Sequence, residues 1–223
     1  MNTCMAAAAD PVEDRATNRA LLRDLGLTAI SIISAPRAGN TTILERTLPC
    51  LKNEFKVAVI ESDLQPSLDA LQIRSAGALV WQIITGTNRR PEARTLAEAL
   101  GQFPLAGAQV LFIERLIDSD ESSLPDWGED LRVIIYRISP TGLIPSSMLN
   151  LFRAADAVLV NAMDCLPGAR INEDALATIG KTSPDLAVFA VRSPARDDLT
   201  EWINWLRQKM RAARCFPARA CGT

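Results

Sequence analysis

Residues 30 to 42 read Ile30-Ser-Ile-Ile-Ser34-Ala-Pro-Arg-Ala-Gly39-Asn-Thr-Thr42, a short apolar run, a loop of small residues and the start of a helical segment. A strand that passes through small residues directly into a helix is the setting of a phosphate-binding loop. Its backbone N–H groups and the N-terminus of its helix attract an anion. The alternative is an ordinary strand-to-helix turn in which Thr41 caps the helix. This segment alone favours neither interpretation.

The loop departs from the usual phosphate-binding pattern at two positions. That pattern ends in Gly-Lys-Ser/Thr, where the lysine reaches the outer phosphates and the hydroxyl binds Mg²⁺. Gly39 and Thr41 match it, but Asn40 replaces the lysine and Arg37 lies where such loops often have glycine. If the loop is a phosphate site, it therefore lacks the positive charge of the usual lysine.

Apolar runs alternate with segments of helical period along the whole chain. Predicted strands are Leu27–Ser34, Lys56–Ser62, Ala78–Ile84, Gln109–Glu114, Leu131–Ser139, Asp156–Asn161 and Leu186–Arg192. Predicted helices are Val12–Leu25, Asn40–Lys52, Pro66–Arg74, Pro91–Gly101, Ile144–Ala154, Asn172–Lys181 and Asp197–Ala212. Several strands are apolar on both faces, as in a parallel sheet covered by helices. The pattern predicts an α/β doubly wound, mostly parallel sheet, with an N-terminal tail (1–12), one domain (13–212) and a disordered C-terminal tail (213–223).

Composition excludes several functional classes. The chain has 223 residues with 24 basic and 26 acidic side chains, so it lacks the basic excess expected of a nucleic-acid-binding protein. No apolar run is long enough to span a membrane, and Met1–Ala9 has no convincing export signal, so we expect a cytoplasmic protein. Five cysteines without a CxxC pair indicate free thiols rather than a disulfide framework.

Histidine is absent from the sequence. Its absence excludes Ser-His-Asp and Cys-His catalysis and removes the commonest protein ligand for zinc or nickel. Any chemistry must therefore rely on carboxylates, bound phosphates and backbone dipoles.

The phosphate loop is one of eight segments that occur in the same order as in a known family. The others are Lys56–Asp63, Ser67–Ala70, Gly77–Val80, Thr85-Gly86, Leu111–Glu114, Asp126–Asp130 and Phe152–Asn161. Together they resemble the P-loop GTPases that incorporate nickel into hydrogenases, and the similarity runs from about Glu13 to Leu206. The resemblance implies a P-loop NTPase fold, GTP or GDP with magnesium as cofactor, and a dimer formed across bound GTP.

The resemblance also assigns roles to individual residues. It implies that Asp63 organises Mg²⁺ and the attacking water, and that Thr41, Asp63 and Glu114 hold the magnesium. Nucleotide-binding positions would be Arg37, Ala38, Gly39, Asn40, Thr41, Thr42, Asn161 and Asp164. For Asp63 the alternative is a carboxylate that caps the next helix, and for Asp164 it is a local turn before Pro167-Gly168.

Several family residues are replaced together. Asn40 and Ala162 stand where the family has its phosphate and guanine lysines, and Ile117 stands where a glycine backbone senses the γ-phosphate. Positions that align with the family's nickel or zinc ligands carry Arg89, Arg90 and Glu121, so we expect neither metal. We predict weakened nucleotide binding and slow hydrolysis.

Two functions remain open. The first is an accessory protein of [NiFe]-hydrogenase maturation that binds hydrogenase maturation factors or a hydrogenase subunit. The second is a nucleotide- and metal-independent pseudo-GTPase adaptor for such a partner. We also expect Arg89 and Arg90 to contact an acidic segment (Asp118, Asp120 and Glu121) within a homodimer or on a partner, unless both are solvated loops.

Overall fold

The computed structural model describes residues 11–63, 69–84, 93–105, 107–117, 123–139, 143–162, 173–191 and 199–215. These residues form seven strands, β1 (Thr28–Ser34), β2 (Val57–Asp63), β3 (Leu79–Ile84), β4 (Val110–Leu116), β5 (Leu131–Arg137), β6 (Ala157–Asn161) and β7 (Ala187–Val191). They build one sheet in the order β3-β2-β4-β1-β5-β6-β7, and every neighbouring pair is parallel. The predicted doubly wound fold is confirmed.

Seven helices accompany the strands in the described part of the chain. They are α1 (Pro11–Asp24), α2 (Asn40–Leu51), α3 (Asp69–Ser75), α4 (Ala93–Gln102), α5 (Ser146–Arg153), α6 (Glu173–Gly180) and α7 (Thr200–Cys215). Each corresponds to a predicted helix. Helix α7 extends to Cys215, three residues beyond its predicted end at Ala212. Residues 216–223 of the predicted tail lie outside the described part. None of the described helices is long and apolar enough to cross a membrane.

The central strand β1 is buried along its full length and forms the middle of the core. Ile30 and Ile32 pack in a cluster with α2 and α7, whereas Ala29 faces α1 and α4 and Ile33 faces α5 and α6. Side chains of a strand alternate between the two faces of the sheet, so a strand covered on both faces must be apolar throughout. Because all the strands are parallel, the loops that follow their carboxyl ends meet at one edge.

A buried ion pair fastens the connection between β4 and β5. Arg115 Nη1 lies 3.3 Å from Glu129 Oε1, and both side chains are at most 5% exposed. Arg115 Nη2 donates to the carbonyl oxygen of Pro125 (2.9 Å), and its guanidinium lies 4.0 Å from the ring centroid of Trp127. Burial raises the pKa of the Glu129 carboxyl, and the Arg115 charge opposes that rise. Removing one partner would leave the other charge buried and uncompensated.

The same connection packs closely on α1. Asn18 Nδ2 donates to the carbonyl oxygens of Trp127 (2.9 Å) and Ala93 (2.8 Å), so it joins α1 to the connection and to α4. Gly128 has φ +91°, and a Cβ added there would lie 2.8 Å from the carbonyl oxygen of Arg15. Glycine is therefore required at this position both by its backbone conformation and by the approach of α1.

We predict that Gly128→Ala lowers the free energy of unfolding by about 2–4 kcal/mol, since it adds left-handed strain to a backbone overlap. Gly101→Ala is the matched control, because Gly101 lies in α4 with no atom within 4 Å of an added Cβ. The control should be stabilising by about 0.5–1 kcal/mol. Urea unfolding followed by circular dichroism measures both, and equal midpoints would contradict the packing described.

Candidate functional site

The loop between β1 and α2 has the backbone shape of an anion-binding turn. Helix α2 begins at Asn40, and its N-cap is Gly39 with φ 98° and no side-chain hydrogen bond. Thr41 therefore lies inside the first turn, and the alternative in which Thr41 caps the helix is wrong. The N–H groups of the first turn of a helix have no partner within that helix, so they are available to an anion.

Arg37 adopts a conformation that suits glycine better. Its φ is +64°, and it is the one non-glycine residue with positive φ in the described part of the chain. The left-handed region costs an ordinary residue about 1–2 kcal/mol. Its side chain is exposed at the tip of the loop. Arg37 thus has the left-handed backbone conformation that suits the glycine often found at this position of a phosphate loop.

Asn40, at the position of the usual lysine, is turned toward β4. Its Nδ2 donates to Glu114 Oε1 at 3.0 Å, and the residue is 6% exposed. Its Oδ1 is buried and receives no hydrogen bond from the residues that the structure describes. The contact joins the phosphate-like loop to the carboxyl end of β4, where the resemblance implied a magnesium ligand.

A second contact braces the loop from β6. Asn161 Nδ2 donates to the carbonyl oxygen of Ala38 at 2.7 Å, and both residues are buried. Ala162, at the guanine-lysine position, is 5% exposed and packs in the cluster beneath α5 and α6. The end of β6, which the resemblance assigns to base recognition, is therefore physically joined to the phosphate-like loop.

Ile117 occupies the position of the γ-phosphate-sensing glycine. Its N–H donates to the carbonyl oxygen of Ser34 at 2.8 Å, and its side chain is 5% exposed. This N–H is already satisfied by the protein, and the side chain is held in the core. The start of the segment after β4 is thus fixed by contacts within the protein.

The structure places most of the predicted residues at one edge of the sheet. The whole segment from Arg37 to Thr42, Glu114 and Asn161 lie together there, and Asp63 ends β2 at the same edge. Only the backbone of Asp63 is described. Other predicted positions lie outside the described residues: Arg89, Arg90, Asp118, Asp120, Glu121 and Asp164.

One buried acidic residue at this edge was not among the predicted site residues. Glu61 is 4% exposed in β2 and is the register partner of Glu114 in β4. Both side chains share the face of the sheet that carries α2, since Val59 of β2 and Phe112 of β4 pack in the α2 cluster. An acidic residue in an otherwise apolar buried strand was the available signal.

A small cavity lies between the loop, β5 and the start of α5. It has a volume of about 190 Å³ and is lined by residues of the loop, of the segment after β4, of β5 and of the start of α5: Ala35, Pro36, Ala38, Ile117, Ile135, Tyr136, Arg137, Pro145 and Met148. Burial raises the pKa of Tyr136. The walls are mostly apolar, so the cavity suits an apolar group better than a phosphate.

Comparison with characterised sequences identifies relatives across most of the chain. The hydrogenase maturation factor HypB of Azotobacter chroococcum is 31% identical over 200 residues, which are 89% of this chain and 65% of that protein. HypB of Escherichia coli K12 is 30% identical over 190 residues, 85% of this chain and 66% of that protein. The chain thus spans about two thirds of the length of these relatives. No protein-family model matches it.

Solved structures show the same fold. HypB of Archaeoglobus fulgidus superposes with a TM-score of 0.78 at 23% identity, covering 91% of this chain and all of that one. HypB of Helicobacter pylori, solved in complex with nickel, gives 0.77 at 23% identity, covering 96% of this chain and all of that one. At this sequence identity the two structures support the fold assignment alone.

We predict that the strain at Arg37 is measurable by substitution. Arg37→Gly removes the left-handed strain of about 1–2 kcal/mol, offset by the greater freedom of glycine in the unfolded chain, about 0.5–1 kcal/mol. Arg37→Ala also removes the guanidinium but retains the strain, so it serves as the control. The glycine variant should unfold at a higher urea concentration than the alanine variant; the reverse order would contradict the left-handed geometry.

Proposed function

Because this chain belongs to the HypB family of hydrogenase maturation factors, we propose that it is an accessory protein for [NiFe]-hydrogenase maturation that binds guanine nucleotide weakly and hydrolyses it slowly. The observation that carries this proposal is the loop at residues 35–40, whose αL turn at Gly39 and brace from Asn161 preserve an anion-binding shape. The shape of the loop supports phosphate binding, and the residues that line the loop limit the affinity for phosphate.

The loss of the phosphate lysine accounts for the weak binding. A charge-assisted contact contributes roughly 1.5–3 kcal/mol, which is about a factor of 10 to 100 in affinity. Asn40 offers a neutral amide that already donates to Glu114. Lysine also stabilises the charge that develops as the γ-phosphate leaves, so hydrolysis should suffer more than binding.

The remaining residues fit nucleotide and magnesium in part. Thr41 is half-buried in the first turn of α2. Glu114 accepts a hydrogen bond from Asn40, the residue that precedes Thr41 in the chain. We infer that Thr41, Asp63 and Glu114 hold Mg²⁺, that Asp63 also orients the attacking water, and that Asn161 and Asp164 face the guanine. When bound, the ion would neutralise phosphate charge.

The partners follow from the family. Two relatives, from Helicobacter hepaticus and Helicobacter pylori, are described as hydrogenase/urease maturation factors. For this chain we propose binding to hydrogenase maturation factors or to a hydrogenase subunit, a homodimer formed across bound nucleotide, and a cytoplasmic location. We propose neither nucleic acid nor membrane as a partner, since the charges nearly balance.

A nucleotide-independent adaptor is the second candidate. It is favoured by Ile117, whose N–H is satisfied by Ser34, and by Ala162, which is buried where the guanine lysine would lie. The apolar cavity beside the loop would suit a side chain of a protein partner. Titration with a fluorescent GTP analogue and Mg²⁺ separates the two candidates, because an adaptor shows no saturable binding.

We predict that Asn40→Lys combined with Ala162→Lys raises GTP affinity by about tenfold or more at constant Mg²⁺. Both changes return a charged contact to a loop that is already formed. Gln208→Lys is the control for added charge, because Gln208 lies on the exposed face of α7. Isothermal titration measures the three affinities. Equal GTP binding by parent and double variant would show that these loops are no nucleotide site.

We also predict that the purified protein holds no stoichiometric nickel or zinc. Arginine stands at two positions that align with the family's metal ligands, guanidinium groups do not bind these ions, and the chain has no histidine. Elemental analysis after dialysis against nickel should find far less than one ion per chain. About one retained ion per chain would overturn this prediction.

A further inference from the structure

We propose that the apolar cavity between the phosphate-like loop, β5 and α5 is a socket for one large apolar side chain of a protein partner, carried on an acidic peptide segment. Tyr136 and Met148 form walls of this socket, and Arg37 and Arg137 lie at its mouth. That the partner is a maturation protein rests on the proposed function, whereas the socket itself needs no nucleotide.

The cavity lies at a point of the fold where ligands commonly bind. Strands β1 and β5 are neighbours in the sheet, yet the helices that follow them cover opposite faces. Helix α2 packs with Ile30 and Ile32 of β1, whereas α5 packs on the side of Ile33. In open α/β sheets such a reversal leaves a crevice beyond the carboxyl ends of the two strands. The cavity lies in that crevice, since its walls come from the loop after β1 and from the end of β5.

The volume of the cavity sets the size of the group that fits. The value of about 190 Å³ is below the roughly 300–1,000 Å³ of sites that enclose a whole small molecule. It is above the about 150 Å³ of an apolar cavity that binds benzene. A leucine, methionine or phenylalanine side chain therefore fits, and a whole nucleotide does not.

The walls combine a rigid side with an adaptable one. Tyr136 packs edge-on against Phe152 with ring centroids 5.4 Å apart, and its Oη donates to the carbonyl oxygen of Leu143 (3.4 Å). Met148 of α5 forms an adaptable wall, because methionine has several accessible rotamers. Leu143 is 75% exposed, more than any other large apolar side chain in the described part of the chain. The apolar surface thus continues outside the cavity, as at a docking site.

The charge at the mouth selects an acidic partner. Arg37 lies between Pro36 and Ala38, which both line the cavity, and its exposed guanidinium pairs with no carboxylate among the described residues. Arg137 lines the cavity and is exposed as well. None of the described lining residues is acidic. Carboxylates on a partner peptide would pair with these arginines and fix its orientation more than they raise its affinity.

A second copy of this chain fits the nucleotide-free surface less well. A two-fold contact sets the same surface of both copies face to face, so the arginines at the two mouths would approach each other. Like charges that meet across an interface weaken it. Bound phosphates would offset that repulsion in a dimer formed across nucleotide, whereas the free surface favours an acidic peptide.

Fluorescence anisotropy of labelled peptides with the nucleotide-free protein tests the proposal. The probe is fluorescein-labelled Glu-Glu-Leu-Glu-Glu, and two comparison peptides replace the leucine with alanine or the four glutamates with lysine. The leucine peptide should bind saturably. The alanine peptide loses buried apolar area and the lysine peptide loses charge complementarity, so each should bind about tenfold more weakly or worse.

Two substitutions at Met148 change the cavity in opposite directions. Met148→Trp fills the cavity and should abolish binding of the leucine peptide. Met148→Ala enlarges it and should shift the preference toward a peptide with tryptophan in place of leucine, which a loss of folding could not produce. Asn150→Trp adds the same side chain at an exposed position of α5 and should leave binding unchanged. Circular dichroism confirms that each variant is folded.

A second pair of variants tests the charge at the mouth. Arg37→Gln removes the guanidinium and keeps a long side chain at the left-handed position, so it should weaken binding of the leucine peptide by about two- to fivefold. Lys181→Gln is the matched control, because Lys181 is exposed just beyond the end of α6 and does not line the cavity. Its affinity for the peptide should equal that of the parent.

The proposal is overturned if the leucine peptide does not bind saturably, if the alanine peptide binds equally well, or if Met148→Trp leaves binding unchanged. A nucleotide-free dimer that Met148→Trp abolishes, with no peptide binding, would assign the cavity to a second copy instead. Titration with GTP keeps this proposal distinguishable from the proposed function. Peptide binding without GTP binding leaves the socket standing and refutes the nucleotide site, whereas GTP binding without peptide binding refutes the socket alone.

Discussion

The parallel arrangement of the seven strands is the constraint on which the rest of this molecule depends. Parallel strands require crossover connections, and these cover both faces of the sheet, so a central strand such as β1 must be apolar along its length. The same arrangement brings the carboxyl ends of β1, β2, β4 and β6 to one edge. Residues far apart in the chain, such as Asn161 and Ala38, therefore meet there.

At that edge the phosphate-like loop is held by protein contacts on both sides. Asn161 fixes the loop through the carbonyl oxygen of Ala38, and Asn40 fixes the start of α2 through Glu114. These contacts explain how the left-handed conformation of Arg37 is maintained against its steric cost. A loop preorganised in this way needs little rearrangement to receive an anion, even though its own positive charge is reduced.

The segment that follows β4 is held with similar firmness. Ile117 donates its N–H to the carbonyl oxygen of Ser34. Near the other end of the connection, Glu129 pairs with Arg115 of β4, and Gly128 packs against α1. In a nucleotide-driven switch the corresponding segment must change partners when the γ-phosphate is lost. Here its two ends are tied to the core by buried contacts, so a large nucleotide-dependent rearrangement would have to break them.

The sequence by itself determined the fold and the position of the loop. The two-sided apolar strands, the alternation with helical segments and the pattern around Gly39 depend on local chain chemistry, and the resemblance to a nickel-incorporation GTPase family followed from segments in a fixed order. Only the tertiary structure decided which polar groups meet. The partnership of Glu61 with Glu114 depends on strand register, and the contacts of Asn40 and Asn161 depend on how loops from distant strands converge. Side-chain pairing across a sheet is a property of three-dimensional packing, and no local pattern encodes it.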